Sequence, residues 1–342
     1  MAREAVTSSD VARHAGVSQS AVSRVFTPGA SVSATMREKV TKSAEALGYR
    51  PNALARSLIS GRSRIIGVVV AYLDNQFYPM ALEKLSNALQ ETGYHSLVFM
   101  APQTRGNIDH VLQEILDHQV DGLVMASVAL SSDLAAQCDA AGVPVVLFNR
   151  SQDDRRLSAV TSDNVRGGRD VARFLVAGGH RRIAYIAGWE GASTNRDREA
   201  GFVKGLKEAG AALFDRAVGD YNFETAKAAT RALFDRPARR RPDAVFVAND
   251  HMAIAVMDVL RHELGLGVPA DVSVVGYDDV PQAAWPSYDL TTVRQPTNRM
   301  IDATVEILLD RIEEGVDKPR RVAIAGPLMV RGSARVPKGW SE

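Results

Sequence analysis

An α/β protein is predicted: a small all-α helix-turn-helix head followed by two doubly wound parallel-sheet lobes. Three observations carry the prediction. Three short helical patterns, each with its own cap and stop, fill the first 50 residues. Beyond them, short continuous apolar runs alternate with amphipathic stretches, the pattern of buried βαβ units. The charge divides the chain in the same place. The formal net charge is +1, from 41 Lys plus Arg against 40 Asp plus Glu. Residues 1–64 hold ten basic and four acidic side chains, or +6, and the remainder holds 31 and 36, or −5. A basic head on an acidic body suggests a nucleic-acid-binding arm, although charge alone is equally consistent with a solvated basic face.

The elements follow in order. Thr7 can cap a first helix, with Asp10 in capping-box position, and Gly16 can end it. Ser18 can cap a second helix over about 19–26. Helix, glycine-containing turn and helix make a helix-turn-helix pattern. Ala12, Ala15, Val17, Val22 and Val25 can hold the pair together. On the second helix Gln19, Ser20, Ser23 and Arg24 can bond base edges or phosphates, and Ala21 can meet a thymine methyl. Ser33 or Thr35 can cap a third helix over 34–47, with Met36, Val40, Ala44 and Leu47 on one face and Gly48 as its stop. A short helix is expected between Pro51 or Asn52 and Gly61. At about eight residues it falls below the ~12–15 at which an isolated helix is even marginal. It would need a partner, and Leu54, Leu58 and Ile59 would suit a twin helix and a wedge into a DNA step.

In the body, strands are expected at Ile65–Ala71, Ser96–Met100, Gly122–Ala126, Pro144–Phe148, Ile183–Ala187, Ala244–Val247 and Ser273–Tyr277. Helices are expected at Phe77–Glu91, Ile108–Gln119, Asn164–Ala177, Arg198–Ala209, Glu224–Phe234 and Met252–Glu263. A polar break near Asp153–Ser162 splits the strands four and three, giving two lobes with a ligand cleft at the carboxyl ends of their strands. Polar residues follow those strands: Asn149-Arg150, Asn249-Asp250, Asp278-Asp279, and Arg198 in a helix. A polyhydroxylated ligand wants such carboxylates, amides and an Arg fork, with an aromatic from Phe77, Tyr78, Trp189, Tyr221 or Trp285. Asn249, Asp250, Asp278 and Asp279 can equally be helix caps.

Composition excludes several classes. A hydrophobic fraction of 46% with 24% charged residues is ordinary for a globular protein and excludes disordered, collagen-like and coiled-coil chains. One cysteine, Cys138, allows no intrachain disulfide, and its Ala-rich surroundings suggest packing. The first residues, MAREAVTSSDVARHAG, do not read as a signal peptide. The longest apolar run, 65–73, falls short of the ~20 residues a membrane span needs. A reduced, cytoplasmic protein without a membrane partner is expected. No GxGxxG follows the first strand, and GxxxxGK[ST], GxSxG and HExxH are all missing. No catalytic residue, metal site or cofactor is therefore expected.

DVARHAGVSQSAVSRVF, VSATMREKV and ALGYRPNALARSL together resemble the headpiece of the LacI/GalR family of bacterial transcription repressors. The body stretches HRRIAYIAG, R-E-A-G-F, VFVANDHMAIAV, DVSVVGYDD and LTTVRQP resemble the effector domain of that family, which is of periplasmic-binding-protein type. The resemblance implies base contacts from Gln19, Ser20, Ala21 and Arg24. It implies minor-groove contacts from Ala55 and Leu58 of a hinge helix, and phosphate contacts from Thr7, Ser18, Ser23, Ser33 and Asn52. It implies an effector site on Arg198, Asn249 and Asp278, lined by Phe77, Tyr78 and Tyr221, with Asn149 and Arg150 adding an amide and a cation. The effector would be a sugar, sugar acid or sugar phosphate.

The expected domains are a headpiece (1–49), a hinge (50–61), an N-terminal lobe (62–163 and 293–322) and a C-terminal lobe (164–292 and 323–342). The chain would cross between lobes near 163, 292 and 323. The tail lacks the leucine heptads of tetrameric family members, so a homodimer on a double-stranded, pseudo-palindromic operator is expected. A solute-binding protein, or an α/β sugar enzyme with an appended DNA-binding head, is the alternative.

Overall fold

The computed structural model describes residues 6–27, 30–50, 62–101, 109–128 and 132–340. Two units, Met1–Arg64 and Ile65–Glu342, each make their own contacts.

The first unit holds helices Ser8–Ala15, Gln19–Val25 and Ala34–Leu47. Thr7 and Asp10 form a reciprocal capping box, with Asp10 N–H donating to Thr7 Oγ1 at 3.3 Å and Thr7 N–H to Asp10 Oδ2 at 3.0 Å. Gly16 takes φ 62° and ends the first helix. Ser18 caps the second through Ala21 N–H, and Ser33, not Thr35, caps the third through Met36 N–H. Val11, Ala12, Ala15, Val22, Val25, Val40 and Ala44 form one small buried core. The hinge expected over 50–61, with Asn52, Ala55 and Leu58, lies outside the described residues apart from Arg50.

The second unit contains two six-stranded sheets. The strands are β1 (Ile65–Val70), β2 (His95–Met100), β3 (Gly122–Ala126), β4 (Val145–Phe148), β5 (Ser158–Ser162), β6 (Ile183–Ala187), β7 (Asp215–Val218), β8 (Ala244–Val247), β9 (Ser273–Asp278), β10 (Thr291–Arg294), β11 (Arg321–Ile324) and β12 (Leu328–Met329). The first sheet runs β11-β5-β4-β3-β1-β2 and the second β12-β10-β9-β8-β6-β7. The β10–β12 pair is antiparallel, and the other described pairings are parallel. β3, β4, β6, β8 and β9 are buried along their whole length, as a sheet covered by helices on both faces requires. The chain passes between sheets after β5, after β10 and between β11 and β12.

Three strands carry no continuous apolar run, and apolar patterning misses them. Ser158–Ser162 is not the expected break but a strand beside β4. Its hydroxyls are used inside the fold: Ser158 Oγ accepts from Arg320 N–H at 3.1 Å, and Ser162 Oγ bonds the Tyr277 hydroxyl at 2.9 Å. In β10, Thr292 donates its hydroxyl to Asp250 at 2.6 Å. β7 is an edge strand of alternating exposure. Helix Ser193–Glu208 begins five residues before the expected Arg198, because Ser193, Thr194 and Asn195 are buried despite their polarity. The helix expected over Met252–Glu263 is α-helical at Asp250–Asp258 and widens to a π turn at Val259–Glu263.

Candidate functional site

The carboxyl ends of the strands in the two sheets converge on one polar cavity. Tyr72, Asn75 and Tyr78 follow β1, Asn149 and Arg150 follow β4, Thr194 and Arg198 follow β6, Tyr221 follows β7, Asn249 follows β8, and Asp278 ends β9.

Arg198 is held on every side. Its Nε donates to Asn164 Oδ1 at 2.9 Å, its Nη1 to the Ala248 carbonyl at 2.5 Å, and its Nη2 lies 3.4 Å from Asp278 Oδ1. The guanidinium carbon sits 3.7 Å from the centre of the Tyr277 ring. Burial works against its charge, but Asp278 and the surrounding tyrosines outweigh burial and keep it above its ordinary value. Two glycines allow the close approach that places it. A Cβ on Gly168 would collide with the Arg198 carbonyl, and one on Gly201 with the Val165 carbonyl, so only glycine lets the two helices meet there. Gln295 Nε2 donates to Asp278 Oδ1 at 2.7 Å. Burial raises the carboxyls of both Asp278 and Asp250; the negative charge of Asp278 adds to the rise at Asp250, and Arg198 opposes it at Asp278.

The first sheet contributes the opposite wall. Asn149 donates from Nδ2 to the Tyr78 hydroxyl at 3.1 Å, while its Oδ1 is buried without a partner. Arg150 reaches across the cleft between the rings of Trp189 and Tyr221, at 5.5 and 5.7 Å from their centres. Ser151 N–H also bridges the cleft, donating to Ser193 Oγ at 2.9 Å. Asn149, Tyr221 and Asp278 all have positive φ, at 70°, 55° and 130°. Backbone held this way costs of order 1–3 kcal/mol per residue and gathers at functional sites.

Seven of the eight residues expected around a ligand line this cavity: Tyr78, Asn149, Arg150, Arg198, Tyr221, Asn249 and Asp278. Phe77 does not. It is fully buried, its ring stacked on Phe148 with centres 6.3 Å apart, because the first turn of its helix turns it into the core. Asn249 both lines the cavity and caps helix Asp250–Asp258 through Met252 N–H. Asp250 and Asp279 are structural: Asp250 accepts from Thr292 and Val280 N–H, and Asp279 pairs with Arg294 and Arg331, each at 2.6 Å. Trp285 lies exposed. Sequence reasoning missed Tyr72, Asn75 and Thr194. Tyr72 and Asn75 follow the first strand and were legible by the same strand-end rule; Thr194 lay outside the expected helix.

In the first unit Gln19, Ser20, Ser23 and Arg24 are exposed on the second helix, and Ala21 is half-buried. Gln19 Nε2 rests on Ser8 Oγ at 3.0 Å, and the Ser18 and Ser20 hydroxyls share a bond of 2.9 Å. Thr7 gives its hydroxyl proton to Asp10 Oδ2 at 2.7 Å. Thr7, Ser18 and Ser33 are thus all helix caps, exposed at helix starts.

Residues 7–52 match the family model "Bacterial regulatory proteins, lacI family", and residues 172–334 match the model of a periplasmic binding protein-like domain. The chain is 35% identical over 334 residues to the HTH-type transcriptional regulator CelR of Thermobifida fusca, covering 94% of this chain and 96% of that protein. The chain belongs to the LacI family. A LacI-family chain of this kind is a DNA-binding transcriptional regulator with an effector-binding domain. It is also 31% identical over 333 residues to the ribose operon repressor of Escherichia coli K12, covering 96% of this chain and 99% of that one. Among solved structures, the lac repressor dimer bound to operator and an anti-inducer matches with a TM-score of 0.85 at 29% identity, over 96% of this chain and 99% of that chain. A CelR–cellobiose complex matches with a TM-score of 0.72 at 33% identity, over the same shares. Among the described residues of this LacI-family chain, no group of three or more His, Cys, Asp or Glu is arranged to hold a metal, and no helix is long and apolar enough to cross a membrane.

Proposed function

We propose that the chain is a cytoplasmic, non-enzymatic repressor that binds a pseudo-palindromic operator as a homodimer and answers to a small sugar-like effector in its interlobe cavity. Residues 1–49 form the DNA-binding headpiece and 50–61 the link to the body. The two lobes follow the two sheets, 62–163 with 295–324 and 164–294 with 325–342, so the later two crossings lie about two residues beyond the expected 292 and 322. Gln19, Ser20, Ala21 and Arg24 read the major groove, and Ala55 and Leu58 the minor groove. Thr7, Ser18, Ser23, Ser33 and Asn52 meet phosphates, the capping hydroxyls of Thr7, Ser18 and Ser33 turning their protons to phosphate oxygens while still accepting from the helix N–H groups. Two headpieces on a two-fold dimer read two half-sites.

The observation that carries the effector reading is the polar cavity itself: Arg198 and Asp278 paired at 3.4 Å, Asn249 beside them, and an orphaned Asn149 Oδ1 facing the same space. An effector there touches both lobes and biases the angle between them, shifting the population competent for DNA. A swing from 1:99 to 99:1 needs about 5.5 kcal/mol of differential binding, so a partial shift is expected.

The test is a thermal-shift screen of sugars and their derivatives, with each hit titrated into an operator-binding assay. Hits that raise the melting temperature and change operator affinity, with both effects lost in Asp278→Asn, uphold the reading. Hits whose effects survive Asp278→Asn refute it.

A further inference from the structure

We infer that the effector is an anion: a small polyhydroxylated acid whose carboxylate or phosphate is received by Arg150. This rests on the reading of the cavity as the effector site. Three charged side chains line that cavity, and two of them, Arg198 and Asp278, neutralise each other. The nearby Asp279 is occupied by Arg294 and Arg331. Arg150 is left over. Its Nη1 donates to the Ser127 carbonyl at 2.8 Å and its Nη2 to the Tyr72 hydroxyl at 3.1 Å, both neutral acceptors. Its Nε is buried and bonds nothing.

Arg150 is half-buried, and a cation withdrawn from water gains from a compensating charge and hydrogen bonds. The faces of Trp189 and Tyr221 supply part of that compensation. A neutral sugar adds only dipoles and leaves the cavity one positive charge in excess. A carboxylate or phosphate supplies the missing charge and an acceptor for Nε, and a guanidinium is the side chain whose donors match those oxygens. The neighbouring Asn149 Oδ1 wants the complementary group, a hydroxyl donor. The ligand therefore carries its anion at Arg150 and its hydroxyls toward Asn149, Asn249 and Asp278.

The experiment is calorimetric titration of the full chain with matched sets: glucose, gluconate, glucuronate and glucose 6-phosphate, then the galactose and ribose counterparts. An acid or phosphate is expected to bind about ten- to a hundredfold tighter than its neutral parent. The carboxylate and phosphate arms identify which anion is read. Arg150→Met removes that preference. Arg150→Lys keeps part of the preference. Neutral sugars bound as tightly as their acids, or a preference that survives Arg150→Met, overturn the inference. If neutral sugars bind and Asp278→Asn abolishes that binding, the cavity remains the effector site and only its anionic class falls. If no member of the panel binds, both fall.

Discussion

The two units place their proposed recognition groups in opposite environments. In the head, Gln19, Ser20, Ser23 and Arg24 stand exposed on a short helix above a small core. In the body, Arg198, Asn249 and Asp278 are only 2%, 2% and 3% exposed and are already hydrogen-bonded. A surface meant for a long polymer can wait in water, whereas a site for a small molecule must be built inside and its polar groups satisfied in advance. The consequence is energetic. Changes in the head should cost binding and spare the fold, while changes in the body should cost both.

Arg198→Ala should show the largest effect. It leaves Asp278 buried without its cation and orphans Asn164 Oδ1, so chemical denaturation should report a loss of about 3–5 kcal/mol in body stability. A loss under 1 kcal/mol would break the contrast. Arg24→Ala comes next. It should weaken binding to a specific operator by about 1–3 kcal/mol, with much less change on non-specific DNA and a melting temperature that stays put. Equal losses on both DNAs, measured by fluorescence anisotropy, would remove Arg24 from base reading. Ser33→Ala deletes a cap and should cost about 1 kcal/mol of head stability, visible as faster amide exchange in Ala34–Leu47.

The body's buried carboxyls also predict a pH slope. Burial, then Asp278, raises the Asp250 carboxyl above its ordinary 3.8. The folded state therefore holds that proton more tightly than the unfolded chain. Its contribution is complete below the ordinary value and is lost as the pH rises toward neutrality. Asp250→Asn should flatten that fall in a series of denaturation curves. An unchanged slope would assign it to other groups.

The same contrast explains what could be read in the residues. The head was legible almost entirely, because caps, glycine stops and apolar spacing are local signals: Thr7, Gly16, Ser18, Ser33 and Gly48 all stand at helix ends. The body was legible where strands are apolar throughout, as at Gly122–Ala126 and Ala244–Val247. It was opaque at Ser158–Ser162 and Thr291–Arg294, whose hydroxyls find partners only through tertiary contacts. At the cavity, residues just after strands were legible from position. The core placement of Phe77 and the lining role of Thr194 depend on which way a helix turn faces, and spacing alone does not encode that.

A ligand-responsive repressor requires coupling between its small-molecule cavity and its DNA-reading head. The most direct measurement is operator affinity, on a duplex selected from random sequence, with and without the tightest-binding hit, for wild type and Asp278→Asn. The expected result is equal affinity for DNA without ligand and a shift on adding ligand in the wild type only. A shift of the same size in both proteins, or none in either while the ligand saturates the wild-type cavity, would contradict it.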